Sequence, residues 1–445
     1  MLSDPIVALA TPPGRSAVAL LRLSGRGAFA IAERSLHPWR PDPPRTAFRA
    51  RLSGSGGAPI DDVVAATFPG PRSYTGEDVV EITTHGGLLT PAEAMAALVA
   101  AGARPAEPGE FTRRAVLNGK MDLLQAEATA DLIDAGAPAQ RRRALAQLDQ
   151  SLSRRLESLR GDIVELEGLT AYEIDFPEED DGPVPPERIA TARERVRERL
   201  ASLLGTAGEG ERLREGALLV IAGPPNAGKS TLFNALLGSE RAIVTEVPGT
   251  TRDAIEAPAV IAGFPFRLVD TAGLRDSDDR IEKLGIEVSR RYLGAADLVM
   301  YCEDGHQTNA LSGQVAKSLS ASIPVIEVRT KSDLRSDLAA SRLSVSALTG
   351  AGMQELKQEL ARVAFGKLIA LGDVEPVVTR ARHRQALETA LSELDLFTEA
   401  RDSGVEAVAA ATHLRAATGA LDALIGAVTP NDVLDRVFAS FCVGK

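Results

Sequence analysis

An eight-residue loop between an apolar run and a helix-forming run limits the fold of this chain more than any other feature. Gly223-Pro-Pro-Asn-Ala-Gly-Lys-Ser230 fits the pattern G-x-x-x-x-G-K-[ST], follows Ala217–Ala222 and precedes Thr231–Leu237. A chance match in a chain of this length is expected in about one or two per cent of cases, before this context is counted. A strand, a glycine-rich turn and a helix in this order predict a phosphate-binding loop on an α/β domain.

The loop has the groups that bind a nucleoside triphosphate. Glycines let backbone N–H groups close on phosphate oxygens, and the following helix adds the positive end of its dipole. Lys229 supplies a charge to the β- and γ-phosphates, and the Ser230 hydroxyl is a ligand for Mg²⁺. The predicted contacts here are Asn226, Ala227, Gly228, Lys229, Ser230 and Thr231.

Four short motifs follow in the order that a guanine-nucleotide site needs. Thr251 is placed to complete the Mg²⁺ shell, Asp270 to lie near the metal, and the Gly273 N–H to face the γ-phosphate. Asp333 can accept from both N1–H and N2–H of guanine, a donor pair that adenine lacks, so the prediction is GTP. The predicted contacts are Thr250, Thr251, Asp270, Thr271, Ala272, Gly273, Thr330, Lys331, Ser332, Asp333, Ser346, Ala347 and Leu348.

Hydrolysis needs a group that orients the attacking water. Leu274 stands where Ras-like enzymes carry a glutamine, so another residue must take that role. Glu282 is one candidate, although its spacing suits an ordinary helix-surface charge equally. Asn226 could help hold a monovalent cation at the β- and γ-phosphates, or could cap the loop backbone.

The chain of 445 residues is long enough for several domains, and 44% hydrophobic residues are ample for several cores. A net charge of −11 argues against nonspecific coating of nucleic acid, and no DNA partner is expected. Two cysteines and five scattered histidines indicate neither a disulfide framework nor zinc. Without a signal peptide or a long apolar run, the expected location is the cytoplasm, with no membrane association.

Hydrophobic patterning predicts a multidomain protein of mixed α/β and α+β class. Residues 1–118 alternate apolar strands with Gly/Pro turns, with a helix near Pro91–Ala101. Apolar residues at steps of three and four, from Leu145 to Leu169, predict one long amphipathic helix. Residues 215–370 alternate strands and helices, as in a mostly parallel Ras-like sheet. The predicted helical domain is therefore discontinuous, comprising residues 119–214 and 371–445, with the α/β domain inserted.

Several charged residues stand out from their surroundings. Only Lys120 and Lys445 are lysines outside the α/β insert, either by chance or because a compact ammonium is needed there. Arg22 and Glu81 lie in apolar strand-like runs, a pattern that favours a solvent-facing position over a site. The acidic run 173–181 is more typical of a solvated loop than of a partner-facing edge.

Beyond these patterns, the chain resembles the MnmE (TrmE) family of tRNA wobble-uridine modification GTPases over essentially its full length. The residues that carry the resemblance are Thr11–Arg15, Pro108–Arg113, Asn118–Glu127, Ile174–Glu179, the five nucleotide motifs and Phe441–Lys445. The resemblance implies an N-terminal domain that binds formyl-tetrahydrofolate and dimerises, a helical domain, and a GTPase domain activated by K⁺-dependent dimerisation. It also implies a heterotetramer with the FAD-containing MnmG and a tRNA substrate.

The resemblance assigns roles by position. Asn226 matches the potassium-binding asparagine, and Glu282 matches the catalytic glutamate. The loop that completes the cation shell matches Thr245, Glu246, Val247, Pro248, Gly249 and Thr250. Within this loop, the implied K⁺ ligands are Thr245, Val247 and Thr250. Arg22, Glu81, Lys120 and Lys445 match folate-contacting positions. Cys442 fits the Cys-x-Gly-Lys ending, its chemistry left open. Thr330 replaces a more usual asparagine, which predicts weaker guanine affinity.

The sequence is compatible with three functions. The first is modification of C5 of the wobble uridine with an aminomethyl-type group, with folate as one-carbon source. The second is a GTP-switch module such as a ribosome-assembly GTPase, although residues 1–118 are nearly neutral rather than basic. The third is one-carbon transfer to a small molecule with GTP as regulator.

Overall fold

The computed structural model describes residues 4–54, 56–175, 185–238, 256–270, 291–304, 323–334, 343–373, 375–426, 434, 437–438, 441–442 and 444. The chain divides into two compact units, residues 1–130 with 422–445, and residues 131–421. No helix within the described ranges is long and apolar enough to span a membrane.

The first unit is built on a seven-stranded sheet. Its strands are β1 (Ile6–Leu9), β2 (Gly14–Ser24), β3 (Leu36–His37), β4 (Phe48–Ser53), β5 (Pro59–Phe68), β6 (Val79–Gly87) and β7 (Arg104–Pro105). They lie in the order β3-β4-β5-β6-β2-β1-β7, antiparallel except for the β1–β7 pair. The helices are α1 (Ala28–Ser35), α2 (Leu89–Ala100), α3 (Glu110–Leu117) and the start of α4 (Leu123–Asp134).

Alternation along the central strands separates the two faces of this sheet. Leu21, Leu23, Val80 and Ile82 are fully buried and pack with α1 and α2 in one core. Residues between them, including Arg22 and Glu81, face the opposite side. The apolar strands predicted within residues 1–118 are confirmed, among them β1, β2, β5 and β6, and so is the helix predicted near Pro91–Ala101, which is α2.

The second unit contains the helical stretches and the α/β domain. Its helices before the insert are α5 (Pro138–Leu148), α6 (Ser151–Asp175), α7 (Pro186–Leu204) and α8 (Ala207–Glu215), and those after it are α11 (Ala381–Asp402) and α12 (Ala407–Ile425). Ion pairs join the two stretches: Arg197 with Asp395 at 2.5 Å and Arg415 with Glu167 at 2.7 Å. The prediction that helical stretches before and after the insert pack together is thus confirmed, whereas residues 119–130 and 422–445 belong to the first unit and the predicted domain bounds stay a prediction.

The prediction of one long helix through Leu145 is wrong in one respect. The chain breaks between α5 and α6 at Asp149–Gln150, where Gln150 has a φ of 63°. A left-handed residue cannot continue a right-handed helix, and Leu145 before the break is 45% exposed. The apolar spacing marks a buried face only in α6, where Leu152, Leu156 and Leu159 are buried, whereas α5 buries Ala139, Ala144 and Gln147 instead.

The α/β domain has a six-stranded sheet. Its elements are β8 (Ala217–Ala222), α9 (Lys229–Leu237), β9 (Glu256–Ile261), β10 (Phe264–Asp270), β11 (Leu298–Glu303), β12 (Val325–Arg329), β13 (Leu343–Ser344) and α10 (Met353–Leu371). The order is β13-β12-β11-β8-β10-β9, parallel except for the edge strand β9. This is the predicted Ras-like sheet, and the carboxyl ends of its parallel strands meet at one edge, where α/β folds bind ligands.

Candidate functional site

The phosphate loop begins at the carboxyl end of β8, the central strand. All six β8 residues are buried between β10 and β11. Gly223 has a φ of 146°, and a Cβ there would lie 2.1 Å from the Cys302 carbonyl oxygen. Gly228, with a φ of 77°, is the N-cap residue just before α9. These two positions require glycine, because one has no room for a side chain and both have positive φ.

Two predicted site residues from separate motifs meet at this loop. Ser230 Oγ donates a hydrogen bond of 2.8 Å to Asp270 Oδ2, across 40 residues of sequence. Lys229 is 7% exposed, and its Nζ donates to Pro224 O at 2.7 Å. The ammonium therefore lies over the loop. A hydroxyl and a carboxylate oxygen side by side are ligands that suit Mg²⁺.

The base-recognition motif is tied directly to the phosphate loop. The Thr330 hydroxyl lies 2.7 Å from Ala227 O and 3.2 Å from Glu303 O, in a position that is 6% exposed. Lys331 Nζ donates to Asn226 O at 2.6 Å. Thr330 therefore braces the loop with a hydroxyl at the position where the resemblance expects an amide.

Asp333 and the serine motif lie next to each other at the same sheet edge. Asp333 is exposed in the short turn Ser332–Leu334, and the Ser332 N–H donates to Val345 O at 3.1 Å. Ser346 is 1% exposed and its Oγ accepts from the Thr349 N–H at 3.2 Å. The predicted base pocket thus has its two segments in contact, with the Asp333 carboxylate reachable by a ligand.

Cys302 lies behind the phosphate loop at the end of β11 and is fully buried. Burial raises the pKa of its thiol to about 12, while the Lys229 ammonium lowers it by less. The thiol stays protonated at neutral pH and packs as a small apolar side chain.

A second cluster lies on the face of the first unit's sheet opposite α1 and α2. Arg22 and Glu81 are directly opposite each other on β2 and β6, and Arg22 Nε and Nη2 donate to Glu81 Oε1 at 3.0 and 2.8 Å. Their side chains are only 15% and 27% exposed. The solvent-facing position favoured by pattern is therefore corrected, because the Tyr74 ring covers the guanidinium, with its centroid 5.0 Å from Cζ.

Lys120 and the C-terminal tail belong to the same unit. Lys120 Nζ donates to Pro71 O at 2.8 Å. The Gly109 N–H donates to Cys442 O at 3.3 Å, and a Cβ on Gly444 would lie 2.5 Å from Leu9 O. The tail therefore runs against β1 so closely that Gly444 must be glycine.

Other predicted site residues lie outside the described residues. They are Thr245, Glu246, Val247, Pro248, Gly249, Thr250, Thr251, Thr271, Ala272, Gly273, Leu274, Glu282 and Lys445. Residues 176–181 of the acidic run and the side chains of 173–175 are also outside them.

A Ras-like sheet with this phosphate loop and an exposed Asp333 beside the serine motif defines the chain as a P-loop GTPase. A family model described as "MnmE helical domain" matches residues 123–442, and one described as "GTP-binding protein TrmE N-terminus" matches residues 5–120. Proteins named "tRNA modification GTPase MnmE" are similar along the whole chain: that of Salinibacter ruber is 42% identical, covering 100% of this chain and 99% of its own. Those of Moorella thermoacetica and Aquifex aeolicus are 40% and 39% identical, with both chains covered in full. The chain belongs to the MnmE family.

Proposed function

We propose that this protein hydrolyses GTP and, with the FAD-containing partner MnmG, adds a carboxymethylaminomethyl-type group to C5 of the wobble uridine of certain tRNAs. A formyl-tetrahydrofolate or a related folate supplies the one-carbon unit. The full-length similarity to tRNA modification GTPases supports the substrate class.

The observation that carries the proposal is a second, separate ligand-type cluster on a GTPase chain. Arg22 makes two hydrogen bonds to Glu81 and has five N–H donors, so donors remain for a ligand beside a carboxylate. A pterin ring presents N–H donors next to a carbonyl oxygen, which such a pair can read. A pure GTP switch has no need of this cluster.

Cations near the pair would suit the carboxylates of the folate tail. Lys120 is exposed and contacts the loop that also carries Tyr74. Gly444 lies against Leu9 and Ala10, and the neighbouring Ala8 is the register partner of Arg22. This closeness supports Lys445 as a further folate contact.

Several features support Mg²⁺ and K⁺ in hydrolysis. Ser230 and Asp270 would hold Mg²⁺, which neutralises phosphate charge when bound. Asn226 lies at the exposed apex of the loop with a φ of 60°, and its backbone carbonyl is held by Lys331. Its side chain is therefore available for K⁺, with Thr245, Val247 and Thr250 as further ligands. Glu282 would orient the attacking water.

We propose that the exposed part of this sheet face forms a homodimer interface, and that the GTPase domains dimerise as well. Val18 and Val64, on the same face as Arg22, are 54% and 48% exposed. Apolar side chains on an unpaired sheet face favour burial against another surface.

Mass spectrometry of wobble nucleosides tests the proposal. Cells lacking the gene should lose the modified uridine, and the wild-type chain should restore it. Neither Arg22→Gln nor Lys229→Ala should restore the modified uridine. Arg22→Gln should lose folate binding, and Lys229→Ala should lose GTP binding. Unchanged nucleosides with altered ribosomal subunit profiles would instead support the assembly GTPase, and unchanged nucleosides with altered folate pools would support transfer to a small molecule.

A further inference from the structure

One loop of the first unit contacts two of the proposed folate residues. Residues 69–78, which join β5 to β6, are called the 69–78 loop here. Its Tyr74 ring lies under the Arg22 guanidinium, and its Pro71 carbonyl accepts from Lys120 Nζ at 2.8 Å. A Cβ on Gly76 would lie 3.2 Å from Lys120 Cγ, so the loop backbone also packs on the lysine stem. The position of this loop therefore sets the positions of both cationic groups.

A buried arginine anchors the loop from below. Arg114 on α3 is 1% exposed, and its Nη1 donates to Glu77 Oε2 and Oε1 at 3.1 and 3.2 Å. Ser24 Oγ donates to Glu77 Oε2 at 2.9 Å. Glu77 thus receives donors from a helix and a strand, each fixed by the domain core.

The same helix fixes the loop at two further points. Tyr74 Oη lies 2.8 Å from Thr112 Oγ1, and Asn118 Nδ2 donates to Thr75 O at 2.7 Å. Residues of α3 and its end therefore hold the loop at Tyr74, Thr75 and Glu77.

Glu110 completes the network on the side away from the loop. Arg114 Nη2 donates to Glu110 Oε1 at 2.9 Å, and Arg104 donates to both Glu110 oxygens at 2.5 and 2.9 Å. Burial raises the pKa of the Glu110 carboxyl, but hydrogen bonds from Arg104, the Glu107 N–H and Arg114 outweigh it and lower the pKa to about 2. Arg114 thus bridges the Glu77 and Glu110 carboxylates through its two Nη atoms, which a forked guanidinium does better than an ammonium.

We propose that Glu77 and Arg114 are positioning residues for the folate site: they fix the 69–78 loop so that Tyr74 orients the Arg22 guanidinium and Pro71 orients the Lys120 ammonium. This inference rests on the proposed folate function. Neither Glu77 nor Arg114 needs to touch the ligand, because each acts through the loop.

The cation–π contact between Tyr74 and Arg22 links the position of the loop to the affinity for folate. A guanidinium held between a carboxylate and an aromatic face loses little further freedom when a ligand binds. If the loop moves, Arg22 keeps Glu81 but loses Tyr74, and Lys120 loses its acceptor. Folate affinity should then fall while the nucleotide site in the other unit is unaffected.

Calorimetric titration of the full-length protein with 5-formyl-tetrahydrofolate tests this inference. Tyr74→Leu should raise the folate Kd about tenfold, and Glu77→Gln roughly fivefold. Tyr74→Phe keeps the ring and should restore affinity to within about twofold of wild type. GTP hydrolysis, measured on the same samples, should not change.

Arg104→Gln is the matched control. Arg104 contacts Glu110 and Asp4 but leaves the Arg114–Glu77 bond in place, so this variant should lower the melting temperature without changing the folate Kd. Normal folate affinity in both Glu77→Gln and Tyr74→Leu would overturn the inference, whatever happens to stability. Absence of folate binding by the wild-type chain would instead refute the folate assignment itself, and this inference with it.

Discussion

Replacing Thr330 by Ala removes the hydroxyl that joins the base motif to the phosphate loop. The hydroxyl lies 2.7 Å from Ala227 O, 103 residues away in sequence, and 3.2 Å from Glu303 O. Glu303 O also accepts from the Thr330 N–H at 2.8 Å and keeps that bond in the variant. Ala227 O, inside the loop, is therefore the group that loses a partner.

The free-energy cost of removing the Thr330 hydroxyl follows from its burial. Because the position is 6% exposed, water cannot easily replace the hydroxyl, and leaving a buried acceptor unsatisfied costs about 1–3 kcal/mol. If roughly half of this cost falls on the nucleotide-bound loop, GDP and GTP affinity drops about two- to twelvefold. Thr330→Asn, which restores a donor, should recover most of it.

Titration with a fluorescent guanine nucleotide measures the effect. Thr170→Ala is the matched control, because Thr170 is 1% exposed and its hydroxyl also donates to a backbone carbonyl, Leu166 O at 2.8 Å, within α6. The control should lower thermal stability and leave nucleotide affinity unchanged. Nucleotide affinity in Thr330→Ala within twofold of wild type would refute the bracing role, even if stability fell.

Four further predictions concern catalysis, base choice and the tail. Hydrolysis should be faster in K⁺ than in Na⁺ at saturating GTP, and Asn226→Ala should remove that difference with nucleotide binding retained; equal rates in the wild type would exclude a K⁺ role. Asp333→Asn should shift preference from GTP to xanthosine triphosphate in competition assays, and a variant that still prefers GTP would show that another group reads the base. Glu282→Ala should lower kcat by roughly 10²–10⁴ with little change in GTP affinity, as single-turnover kinetics can measure. Lys445→Ala should weaken folate binding in calorimetry without lowering the melting temperature, whereas deleting residues 442–445 also removes the close packing of Gly444 on Leu9; unchanged folate affinity would exclude the lysine.

The phosphate loop could be predicted because its signal is local. A buried strand, glycines at positive φ and a helix start occupy consecutive residues, so the sequence pattern and the structure describe the same short segment. The Arg22–Glu81 pair could not be predicted from pattern, since its residues are 59 positions apart and meet only through the β2–β6 register. The alternation of apolar residues predicts that both side chains lie off the apolar core. It does not predict that the Tyr74 ring covers Arg22.

Long-range packing also bends the last helix of the α/β domain. Phe365 inside α10 has φ −137° and ψ 25°, and Gly366 follows it directly. Its ring stacks on Phe264 at 4.8 Å and meets Phe266 edge-on at 5.6 Å. A helix kink needs an identifiable cause, and two coincide here: the packing of the Phe365 ring against β10 and the helix-weakening Gly366 beside it.

The backbone groups released by the bend find partners on α8, more than 150 residues earlier. Arg212 Nη1 donates to Ala364 O at 3.2 Å, and the Glu209 carboxylate accepts from the N–H groups of Lys367 and Leu368 at 3.2 and 2.9 Å. Released helix groups left without partners would make the bend costly. Strand β10 carries Asp270 at its carboxyl end and packs on the bend of α10 at its other end. Because α8 holds the bend, this helix before the insert also supports the strand that positions the candidate Mg²⁺ carboxylate.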